Sequence, residues 1–245
     1  MNRQQENLIN SFRFTSSHEN KANVNVANHY SATPLYHAVR AGCVVEVELL
    51  LASGASVKAT DNFGLTPLHY ATQLGRGRIV RLLLASGADV KAIDNFGLTP
   101  LHYAIHSGCE WVVELLLASE ANVEAVNNFG LTPLHYAARA GYIEGVKLLL
   151  EKGASIEAID NFGFTPLHYA ACAGCIEGMK LLLASGASVK ATDNFGLTLL
   201  RYATQLGREE IMRLLFAGGV DVNTPSTSFN NTNTEQFQTV GRSYC

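Results

Sequence analysis

Four histidines, His69, His102, His135 and His168, stand 33 residues apart. A ladder of imidazoles suggests two chemistries: a transition metal held by ring nitrogens, or proton transfer by groups that titrate near neutral pH. Cys172-Ala173-Gly174-Cys175 has the spacing of a redox or metal pair and is the second candidate. Spacing argues against both. Helices repeated at a constant interval stack about 8–10 Å apart, whereas each ligand of a zinc ion lies about 2.0–2.1 Å from it, so successive rungs do not easily share an ion. The cysteine pair occurs once, without a second pair to complete a zinc site, and Cys175 shares its register with Cys43 and Cys109 at intervals of 66 residues. Gly75-Arg76-Gly77-Arg78 lacks the Lys-Ser/Thr that phosphate chemistry uses, and no Ser or Cys outside the register finds a His and an Asp. The residues therefore predict a non-enzyme with no metal and no cofactor. A redox or metal protein using Cys172 and Cys175 is the rival.

A constant interval needs a repeated element to carry it. Thr33, Thr66, Thr99, Thr132, Thr165 and Thr198 also follow one another every 33 residues, which divides the chain into units 28–60, 61–93, 94–126, 127–159, 160–192 and 193–225. The six units cover 198 of the 245 residues, leaving segments 1–27 and 226–245. Of the 21 glycines, 16 fall at three positions of this frame, those of Gly64, Gly75 and Gly87, so glycine here is punctuation.

In the second unit, Asp61-Asn62-Phe63-Gly64 suits a type I turn with Asn62 and Phe63 at its exposed tip. Thr66 is then a helix N-cap and Pro67 its first residue, where the missing N–H costs nothing. Gly75 ends this helix, and Ile79 to Leu84 builds a second one that closes at Gly87. Neither reaches the roughly 12–15 residues at which an isolated helix becomes marginal in water. The units must stabilise one another by burying Leu68, Ala71, Val80, Leu83 and their equivalents between neighbours. The expected fold is an all-α repeat solenoid of stacked helix-turn-helix units with β-hairpin-like turns.

Thr66-Pro67-Leu68-His69-Tyr70-Ala71 and its copies from Thr99, Thr132 and Thr165 resemble the Thr-Pro-Leu-His-x-Ala hallmark of ankyrin repeats. The motif is intact in units two to five, altered in the first (Thr33-Pro34-Leu35-Tyr36-His37-Ala38) and degraded in the last (Thr198-Leu199-Leu200-Arg201-Tyr202-Ala203), as terminal caps require. The resemblance implies that each imidazole hydrogen-bonds around the helix start near the cap threonine. It therefore gives a structural role to Thr66, Pro67, His69, Thr99, Pro100, His102, Thr132, Pro133, His135, Thr165, Pro166 and His168. It also implies that turn tips and first-helix ends line a concave groove that meets a protein partner. Tyr70, Tyr103, Tyr136 and Tyr169 occupy a position where ankyrin repeats place an apolar residue, so packing is expected of them.

Binding residues are sought on that groove. Phe63, Phe96, Phe129, Phe162 and Phe195 form a row at the tips, read either as apolar anchors or as rings that stack to stiffen the hairpins. Selectivity should lie where the units differ, at Arg40, Gln73, Leu74, His106, Arg139, Cys172 and Gln205 near the ends of the first helices. The stretch from Leu50 to Thr66 recurs unchanged at Leu182 to Thr198, so copying within the array also accounts for uniform tips.

Composition bounds the rest. With 18 Lys+Arg against 21 Asp+Glu and no long basic run, no broad phosphate-neutralising surface exists, which excludes nucleic acid as the main partner. Apolar clusters such as Leu181 to Ala184 fall far short of the roughly 18 residues that span a bilayer. Met1 to Phe14 lacks a signal-peptide core, and the odd cysteine count at repeat spacing fits a reducing compartment. The expectation is a monomeric, cytoplasmic adapter or inhibitor that binds another protein. A host-directed effector of an intracellular bacterium is the alternative by analogy with near-identical ankyrin arrays. Leu8, Ile9 and Phe12 suggest a partial amino-terminal cap, and the polar, aperiodic stretch after Ser226 reads as a disordered tail.

Overall fold

The computed structural model describes residues 24–219. The expected tail at 226–245 lies wholly outside the described residues, as does most of the expected amino-terminal cap. Among the described residues there are twelve α-helices in six pairs, and no strand beyond an isolated bridge between Thr192 and Thr198. The pairs are α1 (Pro34–Ala41) with α2 (Val44–Ala52), α3 (Pro67–Gln73) with α4 (Gly77–Ala85), and α5 (Pro100–Ser107) with α6 (Glu110–Ala118). They continue with α7 (Pro133–Ala140) and α8 (Ile143–Glu151), α9 (Pro166–Ala173) and α10 (Ile176–Ala184), and α11 (Leu199–Gln205) and α12 (Glu209–Ala217).

First helices pack on first helices and second helices on second helices from each unit to the next, giving two parallel helical layers. The core runs between the layers. Leu68, Ala71, Val80 and Leu83 are fully buried, and so are Leu101, Ala104, Val113 and Leu116 one unit on. Small residues at Ala71, Ala104, Ala137 and Ala170 let the first helices approach closely.

The start of each first helix is set by a threonine in extended conformation, followed by proline in units one to five, as in Thr66 before Pro67, and by Leu199 in the sixth. Glycine closes each first helix in the left-handed region, at φ 61° for Gly75. Glu120 stands where the five other described units have a glycine and still adopts φ 63°, a conformation in which its Cβ is crowded. Gly77, outside the repeating glycine positions, has a different reason. A Cβ there would lie 1.8 Å from the indole of Trp111 in the next unit, so its absence makes room for that ring.

Candidate functional site

In the second, third, fifth and sixth units the turn is built by one aspartate. Asp61 Oδ1 accepts the amides of Phe63 and Leu65, both at 2.9 Å, and the Gly64 amide closes the turn on the Asp61 carbonyl at 3.0 Å. The other carboxylate oxygen accepts the hydroxyl of Tyr70 on the following helix at 2.8 Å. Asp94 with Tyr103 and Asp160 with Tyr169 repeat the arrangement at 2.7 Å, and Tyr202 donates to Asp193 likewise. The tyrosine is thus more than a packing residue: its ring lies half-buried or buried while its hydroxyl ties helix to turn. Desolvation together with the adjacent carboxylate pushes the phenols of Tyr70, Tyr103 and Tyr202 up, so they remain protonated donors.

The turns are then laced to each other by asparagine. Asn95 donates its amide to the Phe63 carbonyl at 3.0 Å and its side-chain Nδ2 to the Asn62 carbonyl at 3.1 Å. Asn128, Asn161 and Asn194 do the same one unit further each time. This ladder stiffens the tips through backbone and amide groups, which leaves most of the phenylalanines outward. Phe63, Phe96, Phe129 and Phe195 are 60, 52, 43 and 41% exposed. Phe162 differs: it is half-buried, beside Phe164, which replaces the usual leucine of the turn. Sequence reading passed over a second apolar row, Ile93, Val126 and Ile159, immediately before the turn and also exposed. The 33-residue spacing was the signal that marked it.

Arg40, Gln73, Leu74, His106, Arg139 and Gln205 are exposed at or near the ends of their helices. Cys172 departs from the expectation for this row: it is buried, at 7% exposure, and so does not present itself as its equivalents do. Tyr136 and Arg139 lie three residues apart on α7 and so share a helix face.

The histidines face away from it, into the stack. The Thr66 amide donates to His69 Nδ1 at 3.1 Å, and the Thr66 hydroxyl lies 2.8 Å from the same nitrogen. An amide can only donate, so Nδ1 is the lone-pair nitrogen and Nε2 carries the proton, which it donates to the Leu98 carbonyl of the next unit at 3.1 Å. His102 and His135 repeat this toward Leu131 and Phe164. At these three rungs no imidazole lone pair is left for a metal. Burial lowers all four pKa values, to about 4 at His102 and His168, opposed in part by the Nε2 hydrogen bond at His69, His102 and His135. His168 keeps the Thr165 contact, but its Nε2 is buried without a partner at the junction with the degraded sixth unit. Cys175 is a free thiol that accepts the Gly178 amide at 3.3 Å, and it is not joined to Cys172. No group of three or more metal-ligating side chains is assembled among the described residues.

A stack of paired helices with capped first helices and laced turns, showing an apolar and variable surface on one layer, defines a repeat solenoid of the interaction type. A family model described as ankyrin repeats (three copies) matches the chain in overlapping spans, 4–94, 47–127, 91–160, 121–193 and 157–226. The chain belongs to the ankyrin-repeat family, whose members typically act as non-enzymatic protein-interaction modules. The first span begins at residue 4, so the family match takes in the segment ahead of the first complete unit. A comparison with curated proteins gives no match. Among the described residues no helix is long and apolar enough to cross a membrane.

Proposed function

We propose that this protein binds a partner protein along its concave first-helix layer, as an adapter or inhibitor. The tip phenylalanines would supply affinity and the variable helix-end residues would choose the partner. The observation that carries this reading is the exposure of Phe63, Phe96, Phe129 and Phe195. Turn shape is held by Asp and the Asn ladder, so the rings are not needed to build the turn, and burial by a partner would give them a use. Replacing Phe96 and Phe129 together by Ala should weaken binding of a partner isolated by pull-down by about 2 kcal/mol or more, with little change in melting temperature. Unchanged affinity with a large fall in melting temperature would assign the row to hairpin stiffness. Exchanging Arg139 for Gln should instead reorder preference among partners, because an unmatched charge penalises one surface more than another.

A further inference from the structure

The fourth unit breaks the pattern of its neighbours at one atom. Where the second, third, fifth and sixth units use aspartate in the turn, this one has Asn127. Its Oδ1 accepts the amides of Phe129 and Leu131, both at 2.9 Å, and since those amides can only donate, the orientation of the carboxamide is settled. Nδ2 therefore faces the tyrosine and donates to Tyr136 Oη at 3.1 Å. The direction of the bond is reversed relative to the other rungs. Tyr70, Tyr103, Tyr169 and Tyr202 give their hydroxyl proton to a carboxylate, whereas Tyr136 receives a hydrogen bond and keeps its own proton to give.

One cation and one carboxylate act on that proton. Arg139, exposed on the same helix face, is close enough to favour the ionised phenol, although burial raises the Tyr136 pKa overall. Along all six first helices the charged side chains are Arg40, Arg139 and Arg201, with no Asp or Glu. The carboxylate of the preceding unit that acts on Tyr136, Asp94, is already satisfied by Tyr103 and the amides of Phe96 and Leu98. Beside the site, Val126 and Phe129 are exposed.

We infer that the fourth unit holds a carboxylate-binding subsite, in which the Tyr136 hydroxyl and the Arg139 guanidinium together take an aspartate or glutamate side chain of a partner polypeptide. An apolar residue next to that carboxylate rests on Val126 and Phe129. A carboxylate is acceptor-only and matches two convergent donors, one of them charged, while an amide or ammonium group on the partner does not. The subsite rests on the reading of this face as a protein-binding surface and adds the chemistry that one rung selects.

The test uses a displayed library of random 12-residue peptides, panned on the full chain and on its Asn127→Asp variant. Aspartate is the native residue at this position in four other units, so the variant should fold; circular dichroism and melting confirm it. The native chain should select peptides with a fixed acidic position next to an apolar one. A labelled selected peptide should bind at least ten-fold more tightly than its Glu→Gln or Asp→Asn twin, with affinity falling as salt rises. N127D should lose that discrimination, since Tyr136 then donates to the new carboxylate, and Arg139→Gln should lose it with the salt dependence. Peptides selected without an acidic preference, or a preference unchanged in N127D, would overturn the subsite and leave the binding face standing. Failure to select any peptide that competes with the F96A/F129A surface would overturn the binding face and the subsite with it.

Discussion

Both nitrogens of His69, His102 and His135 are committed, one to the cap of its own helix and the other to the next unit's turn. This use depends on the neutral ring, because a protonated Nδ1 repels the threonine amide. The unfolded chain takes up protons near the ordinary value of about 6.5, whereas folded His102 and His168 stay neutral to about 4. The unfolded state therefore binds more protons between these values, so stability is full above pH 6.5 and is lost as pH falls toward 4. The loss is on the order of 3 kcal/mol per such histidine, measurable by denaturant unfolding across that range. Asp193 and Glu46, both raised by burial, act in the opposite sense. The ladder's share is isolated by His102→Asn, which should flatten the slope by one histidine's part.

At the scale of the element, two exceptions to the repeat carry measurable consequences. Glu120 ends α6 in a left-handed conformation that glycine adopts freely elsewhere in the array. Glu120→Gly should raise stability by about 0.5–1 kcal/mol, relief of the Cβ crowding outweighing the greater freedom of glycine in the unfolded chain. A melting temperature that falls instead would show that the glutamate makes a compensating contact. Gly77 opens α4 against Trp111, whose ring also lies under Arg81 at 5.2 Å. Gly77→Val should destabilise by about 1–3 kcal/mol through overpacking, and the change should appear as altered Trp111 fluorescence, since it is the only tryptophan.

At the scale of the whole molecule, stability is a sum of units and junctions. The junctions between the second and fifth units are made by the same groups: a histidine reaching the next turn's carbonyl, an asparagine reaching the preceding turn, and small residues between first helices. Deleting 94–126 joins the second unit to the fourth and offers His69 the Leu131 carbonyl in place of that of Leu98. Helicity should fall roughly in proportion to the residues removed, with cooperative melting retained, as far-ultraviolet circular dichroism would report. Complete loss of helicity would show that the third unit is irreplaceable. The junction before the sixth unit departs from that pattern, because His168 Nε2 finds no acceptor there and Arg201 stands where units two to five cap with histidine. That end of the array is expected to exchange its amide hydrogens first.

The period, the two-helix unit, the threonine-proline helix starts and the glycine stops were all legible in the chain because they are local: each depends on residues a few positions apart with strong conformational preferences. Burial of Leu68, Ala71, Val80 and Leu83 followed from helices too short to stand alone. The partners of side chains across units were not legible. Asn95 reads as an ordinary turn residue until the stack sets it against Asn62 and Phe63, 33 and 32 residues back. Tyr70 reads as packing until the turn folds over and brings Asp61 to its hydroxyl. Cys172 reads as a groove residue, yet it is buried. The reversed bond at Asn127 and Tyr136 shows the division most clearly. The sequence holds the substitution of Asn for Asp, but its meaning depends on which atom the turn amides claim and which is left to face the phenol, and only the packed geometry decides that.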